Sequence, residues 1–116
     1  MNPTKIILNR KQKLIDITYS DGVNYKISAE LLRVLSPSAE VRGHGIGQKK
    51  VVSGRRHVGI IALERVGNYA VRIKFDDLHD TGIYTWNYLR ELGEKQSKLM
   101  ADYTSELANL GLTREP

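Results

Sequence analysis

The residues with the most chemistry per unit length lie between positions 75 and 86. There Asp76, Asp77 and Asp80 flank His79, Gly82 follows, and Tyr84, Trp86 and Tyr88 come next. Imidazole and carboxylate together suit iron, manganese or zinc. The candidate metal ligands are therefore His79, Asp77 and Asp80, with His44 or His57 as a further ligand if the segment between positions 39 and 57 folds back. Iron or zinc is the candidate cofactor. A plainer reading competes with this one. Aspartates between a strand and a helix commonly accept hydrogen bonds from nearby amides, and His79 would then bond within its own turn. An enzyme with its site at His79 ranks third. A Ser–His–Asp arrangement drawing on Ser36 or Ser38 lacks the Gly-x-Ser-x-Gly turn that exposes such a nucleophile. The aromatic run reads as core, or else as a wall beside His79 for a small cationic ligand.

A second cluster is basic. Arg42, Lys49, Lys50, Arg55 and Arg56 follow one another with no intervening acid, among Gly43, Gly45 and Gly47. Cations beside exposed backbone amides can contact phosphates, so this segment is the alternative site, for phosphate or nucleic acid. It contains no Gly-Lys-Ser/Thr of a Walker loop, and no nucleic-acid-binding signature accompanies it. A solvated loop is the competing reading.

These residues must be held by a small scaffold. The chain has 116 residues, which is the size of one domain with one core. Cysteine is absent, so disulfides, thiolate nucleophiles and thiolate metal sites drop out. No stretch of apolar residues is long enough for a membrane span, and no apolar segment follows Met1 to Lys5 as in a secretory signal. A cytoplasmic location is expected. The formal charge of +5 admits a polyanionic partner but is also an ordinary solubility margin.

Periodicity predicts the elements. A short strand covers 5–8. Alternation over 13–19 and 23–27, joined by Asp21-Gly22, predicts a hairpin. Ser28 caps a short helix over 29–35, which Pro37 ends. Strands over 58–65 and 69–75 pair through Gly67-Asn68. Thr85 caps a helix carrying Trp86, Leu89 and Leu92, and Gly93 breaks or bends it. Leu99, Tyr103, Leu107 and Leu110 form the stripe of a further helix over 94–110, stopped by Gly111 and packed on the sheet. The expected fold is α+β: a mostly antiparallel sheet of four to six strands, a short inserted helix, and a C-terminal helix on one face.

Two strings carry a family resemblance. The first is Leu31-Leu32-Arg33 with Ser36-Pro37-Ser38-Ala39-Glu40-Val41-Arg42-Gly43-His44. The second runs from Val66-Gly67-Asn68-Tyr69-Ala70 to Asp80-Thr81-Gly82-Ile83-Tyr84. Over roughly positions 15–92 the chain resembles the bacterial DUF971 domain, which is similar to the N-terminal domain of γ-butyrobetaine hydroxylase. That domain resembles a small zinc module, opening Leu-Arg-Asp-Asn-Cys-x-Cys-x-x-Cys and completed by a histidine. Here Leu32-Arg33 matches the opening, the three cysteines fall on Ser36, Ser38 and Val41, and the histidine falls on His79. One ligand of four is retained. The hydroxylase's oxygenase activity is not implied. Fusion of related domains to iron–sulfur scaffold ATPases implies an accessory role in metal or iron–sulfur handling. The resulting expectation is a non-enzymatic binding or interaction module with a larger protein as partner, and with no membrane partner.

Overall fold

The computed structural model describes residues 1–38, 41 and 50–116. In order, the elements are β1 (Pro3–Asn9), β2 (Leu14–Tyr19), β3 (Asn24–Ser28), α1 (Ala29–Val34), β4 (Ile60–Val66), β5 (Ala70–Phe75), β6 (Ile83–Thr85), α2 (Trp86–Glu94) and α3 (Gln96–Asn109). The fold is α+β, as expected, but the strands form two three-stranded antiparallel sheets rather than one continuous sheet of four to six. Their orders are β1-β2-β3 and β4-β5-β6.

The hairpins follow from alternation. In β2, Ile15, Ile17 and Tyr19 are buried while Asp16 and Thr18 face outward. Gly22 supplies the positive φ that the connection to β3 needs. In β5, Val71, Ile73 and Phe75 are buried between more exposed Arg72 and Lys74. Glu64 on β4 pairs across the outer face with Arg72, its ladder partner. Strand β6 has only three residues, too few for a period to be read, and pattern alone does not predict it.

The two sheets meet at β1 and β4 without a backbone ladder. Strand β4 carries an irregularity between Ile60 and Ala62, and the Arg10 guanidinium donates to the Ile61 carbonyl at 2.9 Å. A bulge turns an edge away from a neighbouring strand, and a side chain then satisfies the edge carbonyl instead. This is why the expected single sheet is split.

Helix α1 is too short to stand alone and is buried along its whole length. The Ser28 hydroxyl accepts from the Leu31 amide at 3.1 Å, as a cap should. Carbonyls in the helix's last turn and at its C-cap are taken by tyrosines: the Tyr84 hydroxyl donates to Leu32 O and the Tyr88 hydroxyl to Leu35 O. Helix α2 begins at its predicted cap, where Thr85 accepts from the Tyr88 amide at 3.1 Å. It lies against β3 and β6, one strand from each sheet. Leu89 and Leu92 enter the main core with Ile15, Ile27, Ile73 and Phe75.

Two expectations about the C-terminal third are corrected. Gly93 does not break α2, which continues to Glu94 and stops at Lys95. A Cβ on Gly93 would stand 2.5 Å from Tyr25 Cγ, so the glycine permits close approach to β3. Helix α3 meets the expectation only in its first part, where Leu99 and Met100 pack against the main core. Tyr103 and Leu107 form a satellite cluster with Val34 of α1, joined by Val51 and Val52, while Leu110 stays 56% exposed. Among the described residues no helix is long and apolar enough to cross a membrane.

The Gly93 environment makes a prediction against helix propensity. Propensity alone makes Gly→Ala within a helix stabilising by about 1 kcal/mol. Gly93→Ala is expected instead to lower unfolding free energy by about 1–3 kcal/mol through overpacking on Tyr25, measured by urea titration.

Candidate functional site at the strand–helix junction

The junction between β5 and β6 is a tight turn folded back on itself. The Phe75 amide donates to His79 O at 3.0 Å, and the Leu78 amide donates to Phe75 O at 3.2 Å. Asp77 then acts as the plainer sequence reading expects: its Oδ1 accepts from the His79 amide at 3.1 Å, an Asx-type bond two residues on. This orients the His79 side chain inward. It is 6% exposed, its ring centroid lies 6.0 Å from that of Phe75, and its Nε2 sits 2.8 Å from Ser36 Oγ. Which of those two atoms donates depends on the imidazole tautomer. Ser36 is fully buried just beyond α1.

The other Asp77 oxygen, Oδ2, accepts from Arg33 Nε and from Arg55 Nε, each at 2.7 Å. Arg33 is itself 8% exposed. Burial alone would raise the Asp77 carboxyl. The Arg33 hydrogen bond, the His79 amide, the Arg33 charge and the Arg55 hydrogen bond together hold it below the usual carboxylate range. Gly82 closes the site from the far side. A Cβ there would fall 2.4 Å from Ser36 Oγ and 3.0 Å from Tyr84 Cε1.

The structure thus brings His79 and Asp77 into one cluster with Ser36 and with two arginines. Asp76 and Asp80 remain on the surface. His57 is exposed and lies 3.7 Å from a Glu115 carboxylate oxygen. His44 lies outside the described residues. Among the described residues, no three His, Asp or Glu side chains are grouped so that they could hold a metal ion. The positions on which the family's cysteines fall offer two hydroxyls and a valine, and thiolate, imidazole or carboxylate is what zinc requires. These donors do not fit a zinc ion. Ser36, Ser38 and Val41 are instead buried, and Ser38 Oγ has no hydrogen-bond partner among the described residues.

The Ser36–His79 contact has the geometry of a nucleophile and base, but a wholly buried hydroxyl meets no substrate. Among the described residues, a surface depression of about 280 Å³ is lined by Arg55, His57, Asp76 and Asp77, and not by His79. Tyr84 is fully buried with its hydroxyl bonded, and Trp86 Nε1 donates to Asn68 O at 2.8 Å. The aromatic run is therefore core.

Of the basic cluster, Arg42 and Lys49 lie outside the described residues and Lys50 is exposed. Arg55 is bound to Asp77, and Arg56 pairs with Glu115. Two of the three described cations are thus engaged in ion pairs within the fold. Sequence reading missed the role of Arg33. The one local signal is a cation inside an apolar helix, which must find a carboxylate when buried, but its partner lies 44 positions away.

The family profile described as Gamma-butyrobetaine hydroxylase-like, N-terminal, matches residues 6–90. No functionally curated protein matches the chain. Two protein structures determined by solution NMR are each 43% identical to it. One covers 99% of this chain and 90% of its own with a TM-score of 0.87; the other covers 99% and 86% with a TM-score of 0.85. A crystal structure of a DUF971 protein of unknown function from Acidithiobacillus ferrooxidans is 34% identical, covers 79% of this chain and 92% of its own, and has a TM-score of 0.67.

Two measurements probe this cluster. Gly82→Ala should cost about 1–3 kcal/mol by driving a methyl group into Ser36. Asp77→Asn should cost about 2 kcal/mol at pH 7 by leaving two guanidinium groups without their carboxylate. Because the Asp77 carboxyl is held low in the folded protein, its contribution is complete above the unfolded value of about 3.9 and is lost as pH falls through the folded value. The difference between wild type and Asp77→Asn should therefore shrink below about pH 4. A difference that is unchanged at pH 3 would contradict the arginine bridge.

Proposed function

Since the chain belongs to the γ-butyrobetaine hydroxylase-like N-terminal (DUF971) family, we propose that it is a non-enzymatic binding module that docks on a larger protein in the cytoplasm through the 76–80 turn. The observation that carries this is Leu78. It is 86% exposed and sits at φ +73°. A left-handed backbone costs a leucine about 1–2 kcal/mol, and glycine or asparagine would hold the turn without that cost. The fold gains no burial from the side chain. An exposed apolar side chain at a strained position, on a turn fixed from below by His79 and Asp77, is suited to serve as an anchor for a partner. Exposed Asp76 and Asp80 flank it and would select a partner with cations around an apolar pocket.

An accessory role in metal or iron–sulfur handling rests on family analogy. An iron or zinc ion held by His79, Asp77 and Asp80 would have to displace Ser36 from Nε2 and an arginine from Asp77. If the module works in this way, iron(II) or zinc(II) at low millimolar levels will shift the His79 ring resonances selectively, and more readily in Ser36→Ala. Absence of a selective shift in both proteins would remove the metal from the proposal and leave docking alone. The phosphate or nucleic-acid reading has weaker support, because Arg55 and Arg56 are engaged within the fold.

The docking reading separates stability from binding. Leu78→Asn should raise unfolding free energy by about 0.5–1 kcal/mol, as the strain is relieved. The same change should abolish co-purification of the partner, whereas Lys98→Ala at an exposed position on α3 should not. A Leu78→Asn protein that is less stable than wild type, or that captures the same proteins equally well, defeats this assignment.

A further inference from the structure

The split between the sheets leaves two strand edges facing one another. On their open sides, β1 and β4 have no strand partner among the described residues. They are held together at one end, where Arg10 reaches Ile61 O and the Lys13 ammonium donates to His57 O at 2.8 Å. At the other end they part around a cleft of about 360 Å³. Asn2 and residues 3–6 of β1 form one wall. Leu63, Val71 and Trp86 form an apolar floor, and Lys5 and Arg65 stand at the rim with no acidic residue in the lining.

We propose that this cleft binds an extended peptide carrying acidic and apolar residues in alternation, which adds as a strand to the open edge of β1. Each feature corresponds to a requirement of strand addition. An unpaired edge supplies main-chain donors and acceptors, and a floor set to one side takes every second side chain. Alternation directs the remaining side chains to the opposite face and rim, where Lys5 and Arg65 favour carboxylates. An exposed edge is usually blunted by proline, inward-facing charge or a covering element. On β1 these devices are confined to the strand's start, where Pro3 stands at the first position and the ladder with β2 is irregular between Pro3 and Lys5; from Lys5 to Asn9 the register with β2 is continuous. On β4 the bulge and Arg10 protect the Ile61 end alone. This surface is distinct from the Leu78 turn, and the two assignments stand or fall separately.

The test uses a fluorescein-labelled peptide of alternating Asp and Val, its Lys/Val counterpart, and an Asp/Val peptide N-methylated at every second amide. Fluorescence anisotropy should show binding of the Asp/Val peptide at about 100 mM salt, at least about tenfold weaker binding of the other two, and a similar loss in Lys5→Glu/Arg65→Glu. Both substituted positions are exposed, and circular dichroism confirms that the variant folds. Leu78→Asn should bind as wild type does. Amide shift changes should centre on residues 2–6 and 63–65. Equal binding of acidic and basic peptides, indifference to N-methylation, or shifts centred elsewhere overturns the proposal. So does sedimentation equilibrium showing that a second copy of the chain already fills the cleft.

Discussion

Two guanidinium groups converge on a single carboxylate oxygen, Asp77 Oδ2, and much of the architecture follows from that meeting. Arg33 comes from the inserted helix, Arg55 from the segment leading to β4, and Asp77 from the turn after β5. Three separate stretches are thereby bound at one atom. A buried guanidinium left unpaired is strongly destabilising, so these stretches cannot drift apart independently. The second Asp77 oxygen sets the His79 amide, and through it the ring that meets Ser36. A second buried charge is treated in the same way: Glu30, 6% exposed, is held by Arg114 from the C-terminal segment. Both ends of the long excursion between α1 and β4 are thus secured by charge pairs, in a region with a small satellite cluster of apolar side chains.

The family resemblance gives this arrangement its context. Where the hydroxylase domain's pattern has thiolates and a histidine, this chain has serines, a valine and the histidine. A structural zinc site supplies on the order of 10 kcal/mol of binding free energy toward folding, whereas a hydrogen bond such as Ser36–His79 contributes about 1 kcal/mol. In this chain the corresponding joint is packed and hydrogen-bonded: Val41 is buried, and tyrosine hydroxyls donate to the carbonyls of Leu32, Leu35 and Val52.

What the sequence disclosed and what it concealed divide along the line between local and distant effects. The Asp21-Gly22 hairpin, the Ser28 and Thr85 caps and the alternation of β5 all depend on neighbours within a few residues, and they appear where expected. So does the Asx bond from Asp77 to its near neighbour His79. The split of the sheet depends on Arg10 finding Ile61, 51 positions on, and no local pattern encodes it. Gly93 misled because a glycine in a helix carries the same letter whether it ends the helix or makes room for Tyr25. Arg33, Arg55 and Asp77 were each visible as charges, but their convergence is a property of the tertiary fold.

The seam between β1 and β4 also bears on how the molecule breathes. Within each sheet, strands are zipped by main-chain bonds, but across the seam the halves are coupled through side chains, chiefly Arg10, Lys13 and the packing beneath α2. Local opening propagates most easily along boundaries of this kind. One core nevertheless runs beneath both sheets, with Ile15, Ile17 and Ile27 of the first packed in the same cluster as Ile60, Ile73 and Phe75 of the second, so the seam is closed by packing rather than by a ladder.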